Sequence, residues 1–191
     1  MMQSMSPLNV LKAAFQRHQE LFAKSDAVLE GAARSAEILR KALDDGKKVL
    51  ACGNGGSASD AEHFIGELLC RYKEDRKPLP GISLVSSAAT LTAIGNDYGF
   101  EEVFARQVEA LGKEGDVLVA FTTSGASKNV LAALKAAKKK KLRTVLLTGA
   151  KGASLAKEAD AVVTVPSEET ARIQEMHEFV YHCWCEFLDT N

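Results

Sequence analysis

What most constrains the fold of this chain is an alternation that begins near residue 48. Short runs rich in Val and Leu, namely KVLAC, GISLVS, DVLVAF, RTVLLTG and AVVTVP, are separated by stretches whose apolar residues recur at helical spacing. Strands that are apolar along their whole length need cover on both faces, and strands joined through helices run parallel. The sequence therefore predicts an α/β fold, a three-layer α/β/α sandwich around a central parallel sheet. Its helices are expected to about Cys70 after KVLAC, over ATLTAI, from about Glu101 to Leu111, from near Ser127 to about Lys138, briefly after LTG, and from about Thr170 to Asp189. Ahead of the first strand, Leu8 to about Leu43 carries two helical stretches that break at Ser25 and Asp26, with an N-cap there.

A chain of 191 residues is read as one domain, 1–191, with residues 1–45 forming N-terminal helices that pack on it and on an oligomer interface. Its 24 basic and 25 acidic side chains balance, so nothing global selects nucleic acid as a partner. The run KKKK at 138–141 is read as the end of a helix, where cations complement the dipole and solvate a turn. No apolar run of 18 residues occurs, and the N-terminus has no basic segment followed by an apolar core. We therefore expect a cytoplasmic protein with no membrane partner. Cys52, Cys70, Cys183 and Cys185 form no CxxC pair and are read as buried reduced thiols.

In parallel sheets ligands bind beyond the carboxyl ends of the strands, and two unusual turns fall at that edge. The first, GNGGSASD after KVLAC, lacks the spacing of GxGxxG and the GK[ST] of a Walker loop. Gly53, Gly55 and Gly56 let the backbone turn sharply and approach a ligand, and Ser57 is expected at the helix N-cap with Asp60 three residues on. A helix start of this kind offers free N–H groups to an anion, although a tight turn with an ordinary cap has the same composition. The second turn, TTSGAS from Thr122 to Ser127, repeats the arrangement of hydroxyls, a glycine and a following helix. Two such turns on one sheet edge point to a phosphate site built from short hydroxyl donors.

His63 and Glu67 stand four apart and share a helix face one turn beyond the first loop. The terminal stretch ARIQEMHEFVYHCWC adds Gln174, Glu175, His177 and His182. Phe179, Val180, Cys183, Trp184 and Phe187 read as its packing side, which leaves His182 close to apolar neighbours. A histidine so placed is readily tuned for proton transfer near neutral pH, but a core histidine has the same signature. His18 and His177 are assigned no role.

With both loops, the HFxxEL helix and RIQExH in place, the chain resembles the phosphoheptose isomerases, a family of the sugar isomerase (SIS) domain superfamily. The resemblance runs from about residue 35 to 188 and rests on CGNGGSxxDAxHFxxEL, GNDYGF, GDVLVAFTTSGxSxN, LTG and RIQExH. It implies interconversion of sedoheptulose 7-phosphate and D-glycero-D-manno-heptose 7-phosphate through a cis-enediol, an early step toward the heptose of bacterial surface glycans. It further implies that Ser57, Thr122, Thr123, Ser124 and Ser127 bind phosphate, and that Asn54, Gly55, Gly56, Asn96 and Asp97 make other substrate contacts. Glu67 and His182 match the family's acid/base pair. His63, Glu67, Gln174 and His182 match the zinc ligands of some members, so one zinc per subunit is expected. In this scheme Glu67 is the base, His182 moves protons among the oxygens, and Gln174 and Thr123 polarise or orient them.

Gln174 and His182 are eight residues apart, a rise of about 12 Å on a straight helix, near the limit for two side chains to reach one metal. This, with the tetrameric state of the family, leads us to expect a homotetramer whose active sites lie near subunit interfaces. Where some members carry an acidic residue just before RIQE, this chain has Ala171, which leaves Thr170 to make that polar contact. The rival reading is a non-enzymatic SIS scaffold of the replication-initiator-associating type. That lineage lacks the catalytic glutamate and histidine and reads GNGTS, where this chain reads GNGGS and keeps Glu67 and His182. A sugar-phosphate-sensing regulator ranks last, because no DNA-binding helix-turn-helix precedes the SIS region.

Overall fold

The computed structural model of the protein describes residues 6–190; the first five residues and Asn191, which the sequence reading includes in its single domain, lie outside that range. Five strands, β1 (Val49–Cys52), β2 (Gly81–Ser83), β3 (Val117–Thr122), β4 (Arg143–Gly149) and β5 (Ala161–Val165), form one sheet in the order β2-β1-β3-β4-β5. Every neighbouring pair is parallel, as the apolar runs predict. The helices are α1 (Pro7–Phe22), α2 (Asp26–Asp44), α3 (Gly56–Leu69), α4 (Ala88–Tyr98), α5 (Ala105–Leu111), α6 (Lys128–Lys139) and α7 (Thr170–Asp189).

Successive strand residues point to opposite faces, and the core divides accordingly. Val49, Ala51, Val119, Phe121 and Leu147 face α2, α3 and α7, whereas Leu50, Cys52, Leu118, Ala120 and Leu146 face α5 and α6. Trp184 is buried between α7 and α2, its indole N–H donating to the Ala32 carbonyl at 2.8 Å. Asp189 ties the end of α7 to the segment after α3: it accepts from the Lys73 and Glu74 amides and pairs with buried Arg76, whose guanidinium also donates to the Glu67 and Leu68 carbonyls at the end of α3.

Several expectations need correction. The GISLVS run yields only three strand residues, because the Ser83 side chain and carbonyl engage Val85 N–H and the Ser86 hydroxyl and fold the chain away from the sheet. The helix expected over Glu101–Leu111 is instead a 3₁₀ turn, Phe100–Glu102, followed by α5; the break turns Val103 and Phe104 into the core. Ser25 does stand before α2, yet its hydroxyl donates back to the Leu21 carbonyl rather than capping the new helix. All four cysteines are free, but only Cys52 and Cys185 are buried, with burial pushing each thiol up to about 12; Cys70 and Cys183 are exposed. The packing side of α7 is Ile173, Met176, His177, Val180, Tyr181, Trp184, Cys185 and Leu188, whereas Phe179, Cys183 and Phe187, expected there, are exposed. The two sides interleave at helical spacing, and apolar character alone does not separate them. Among the described residues no helix is long and apolar enough to cross a membrane.

Candidate active site

The sheet order makes the carboxyl ends of β1 and β3 a topological switch point. The chain leaves β1 into α3 on one face and leaves β3 into α6 on the other, which opens a crevice between the two turns. A cavity of about 280 Å³ occupies it, lined by Asn54, Gly55, Gly56, Ser57, Phe121, Thr122, Thr123, Ser127, Thr170 and Gln174. The two glycine and hydroxyl turns thus meet in one place, and Thr170 lines the same cavity.

The turns are held from within. Asn54 and Asn129 exchange two side-chain amide hydrogen bonds, of 2.9 and 2.8 Å, which clamp the first turn to the start of α6. The Thr122 and Ser127 hydroxyls lie 3.2 Å apart, and the Gly125 amide donates to Thr122 Oγ1. Gly125 has φ +69° and its Cα side abuts Gly152, so a side chain there meets both strain and a steric block. Ser57 is not the N-cap: Gly55 is, and Ser57 sits buried inside the first turn of α3. Ser124 is exposed and accepts from the Ala126 amide, outside the cavity lining.

Since α3 and α7 both leave the carboxyl edge of the sheet, they run side by side in the same direction. Gln174 packs against Gly56 at their starts, and His182 packs against His63 farther along. There His63, Glu67 and His182 form a second cluster, with one donor atom from each lying within 4.8 Å of the others. His63 Nε2 is 3.1 Å from Glu67 Oε1, while its Nδ1 is 2.9 Å from the Tyr181 hydroxyl and 3.6 Å from Glu178. The His182 ring stacks on Tyr72, with centroids 5.4 Å apart, and meets Tyr181 edge-on. Its neighbours are therefore aromatic and polar rather than simply apolar.

The groups around the cluster are electrostatically unusual. Burial pushes the Asp60 carboxyl up to about 7, helped by the charge of Glu178 and opposed by His63, and Asp60 Oδ2 is buried without a partner among the described residues. Burial, with Glu178 and Asp60, also pushes the Tyr181 hydroxyl upward, so it stays an O–H. His177 is fully buried beside Phe121, and burial holds it down at about 4, opposed by the Thr148 backbone.

Two imidazoles and one carboxylate make a three-ligand set that suits a catalytic zinc with an open position, so the residues present fit the expected metal. Gln174, the fourth expected ligand, lines the cavity between the two turns. Asn96 and Asp97 are not brought to that cavity within the chain: they are exposed on α4 and bonded to each other, and Asp97 lines a separate cavity with Tyr98 and Arg106. Sequence reasoning gave no role to Tyr181 or Glu178, and gave Asp60 only a place in the cap of α3. Tyr181 and Asp60 occupy positions on largely apolar helix faces, and only their placement against His63 distinguishes them. Asn129, by contrast, stood in the quoted GxSxN motif and could have been named.

Comparisons with known proteins agree with this geometry. The SIS domain family matches residues 12–149. Phosphoheptose isomerases from Campylobacter jejuni and Helicobacter pylori are each 48% identical over 182 residues, covering 95% of this chain and 98% and 95% of their own. The solved phosphoheptose isomerase of Francisella tularensis superposes with a TM-score of 0.93 at 38% identity, covering 98% of this chain and all of that one. The Neisseria gonorrhoeae enzyme gives 0.90 at 39%, covering 97% and 100%.

Proposed function

The chain belongs to the phosphoheptose isomerases of the SIS-domain family, sugar-phosphate isomerases of heptose biosynthesis, and on that premise we propose that its substrate pair is sedoheptulose 7-phosphate and D-glycero-D-manno-heptose 7-phosphate. The observation that carries the proposal is the pairing of two clusters along α3 and α7, a hydroxyl-lined cavity at one end and His63, Glu67 and His182 at the other. An extended sugar phosphate has the same polarity, with its anion at one terminus and its carbonyl at the other.

The amides at the start of α3 and the hydroxyls of Ser57, Thr122, Thr123 and Ser127 bind the phosphate without a cationic side chain, and Ser124 completes the turn from outside. Glu67 removes the proton from C1 of the open-chain ketose, giving a cis-enediol, and returns a proton to C2 to form the aldose. His182 carries the matching proton between O1 and O2, and Gln174 and Thr123 hold the hydroxyls in line. The base must be free in that step, whereas a carboxylate bound to a metal is a weaker one. His63, Glu67 and His182, with Gln174, are the residues that would hold zinc, which when bound polarises the carbonyl as a Lewis acid.

We further propose a cytoplasmic homotetramer, in which the domain comprises residues 1–191 and Asn96 and Asp97 reach a site near a subunit interface. The exposed apolar residues of α1, Leu8, Leu11 and Phe15, supply surface for such packing. Incubation with sedoheptulose 7-phosphate, followed by product detection, tests the substrate. A protein that turned over a shorter ketose phosphate and left this one untouched would overturn it.

A further inference from the structure

We infer that Tyr181 is a positioning residue that sets the tautomer of His63, reversing its hydrogen bond when a metal ion enters the cluster. This deepens the proposed metal reading and rests on it. An imidazole that binds a metal through one nitrogen carries its proton on the other, and that N–H needs an acceptor. His63 turns Nε2 toward Glu67, at 3.1 Å, and therefore into the cluster; Nδ1 meets the Tyr181 hydroxyl at 2.9 Å.

Without an ion, the Nε2–H of neutral His63 donates to the Glu67 carboxylate. Nδ1 is then bare, and the Tyr181 O–H donates to it. With a cation held by Nε2 and Glu67, the ring proton resides on Nδ1 and donates to the Tyr181 oxygen, so the ring stays neutral and no proton is gained or lost. A hydroxyl can serve both states because its hydrogen rotates while its oxygen stays put. The oxygen is well fixed: Tyr181 is only 1% exposed and packs against Phe64 and Phe121. Among the described residues Glu178 also faces Nδ1, at 3.6 Å and about half exposed, beyond normal hydrogen-bond length. Phenylalanine at 181 would keep the packing and remove the acceptor.

The test is zinc affinity of the full chain, measured by competition with a chromophoric chelator, for wild type, Tyr181→Phe and Glu178→Gln. Tyr181→Phe should bind zinc about 10- to 100-fold more weakly, as loss of an outer partner does elsewhere, while its metal-free melting temperature stays close to wild type. Glu178→Gln should stay near wild type. Unchanged affinity in Tyr181→Phe, or an equal loss in Glu178→Gln, would overturn the inference. Zinc failing to bind wild type would instead remove the metal reading, and this inference with it. Nitrogen NMR of the wild-type ring gives a readout that survives a poorly folding variant. His63 should be protonated at Nε2 without zinc and at Nδ1 with it, and zinc on Nδ1 would contradict the assignment.

Discussion

Asn54 and Asn129 hold each other through a reciprocal pair of amide hydrogen bonds, so the turn after β1 is fastened to the helix after β3 across the switch point of the sheet. Each amide satisfies the other, and Asn129 is buried. Asn129→Ala should leave the Asn54 amide without its partner at a cost of about 1–3 kcal/mol. Because the clamp shapes the cavity proposed to take the phosphate, KM for the sugar phosphate should rise several-fold with a smaller change in kcat. Thermal unfolding and steady-state kinetics check the two effects together.

Gly56→Ala probes the other wall of the cavity. A Cβ at this position would overlap the side-chain amide of Gln174, which is flexible enough to move aside. Stability should therefore change little while activity falls at least tenfold, since Gln174 leaves the place proposed for it beside the substrate. A loss of melting temperature with activity intact would assign the glycine to folding instead.

Two buried groups give opposing pH dependence to stability. His177 is held at about 4, below the unfolded value of about 6.5. The unfolded chain takes up the proton first, so this contribution is complete above pH 6.5 and is lost as pH falls toward 4, by about 3 kcal/mol. Asp60 is raised to about 7 from a model-peptide value near 3.9, so its contribution is present below pH 4 and is lost as pH rises through 7. His177→Leu should flatten the acid limb of the stability curve between pH 6.5 and 4. Asp60→Asn should be more stable than wild type at pH 8, with the difference vanishing near pH 4. Melting temperatures over a pH series check both.

Leu8, Leu11 and Phe15 recur at helical spacing on the outer side of α1 and are 59%, 67% and 64% exposed in one subunit. If a tetramer covers them, Leu11→Glu with Phe15→Glu should shift sedimentation to smaller species and lower activity. A double variant that stayed tetrameric and active would place the interface elsewhere.

The sheet was legible because its strands are apolar on both faces, a pattern that burial in a parallel sheet requires; β4 and α7 fall where their residues imply. β2 was overestimated because Leu84 and Val85 keep strand composition while Ser83 bends the backbone, a local hydrogen-bond competition that periodicity does not register. At the site, the loop residues carry their chemistry in composition, so Gly56, Ser57, Thr122, Thr123 and Ser127 could be named in advance, whereas Asn54 came from the resemblance. Tyr181 could not be named. It sits on the apolar face of α7, and its role depends on which residue of α3 lies opposite. Asn96 and Asp97 rested on resemblance alone, and the chain does not bring them to the cavity.

The most direct test of the account is to incubate the protein with sedoheptulose 7-phosphate in heavy water, with and without chelator, and follow the C1 protons of the substrate. Wild type should exchange a C1 proton for solvent deuterium while forming the heptose 7-phosphate. Glu67→Gln should lose both by about 10²- to 10⁴-fold, the usual worth of a general base. Full exchange and turnover by Glu67→Gln, or neither by wild type, would contradict the central claim.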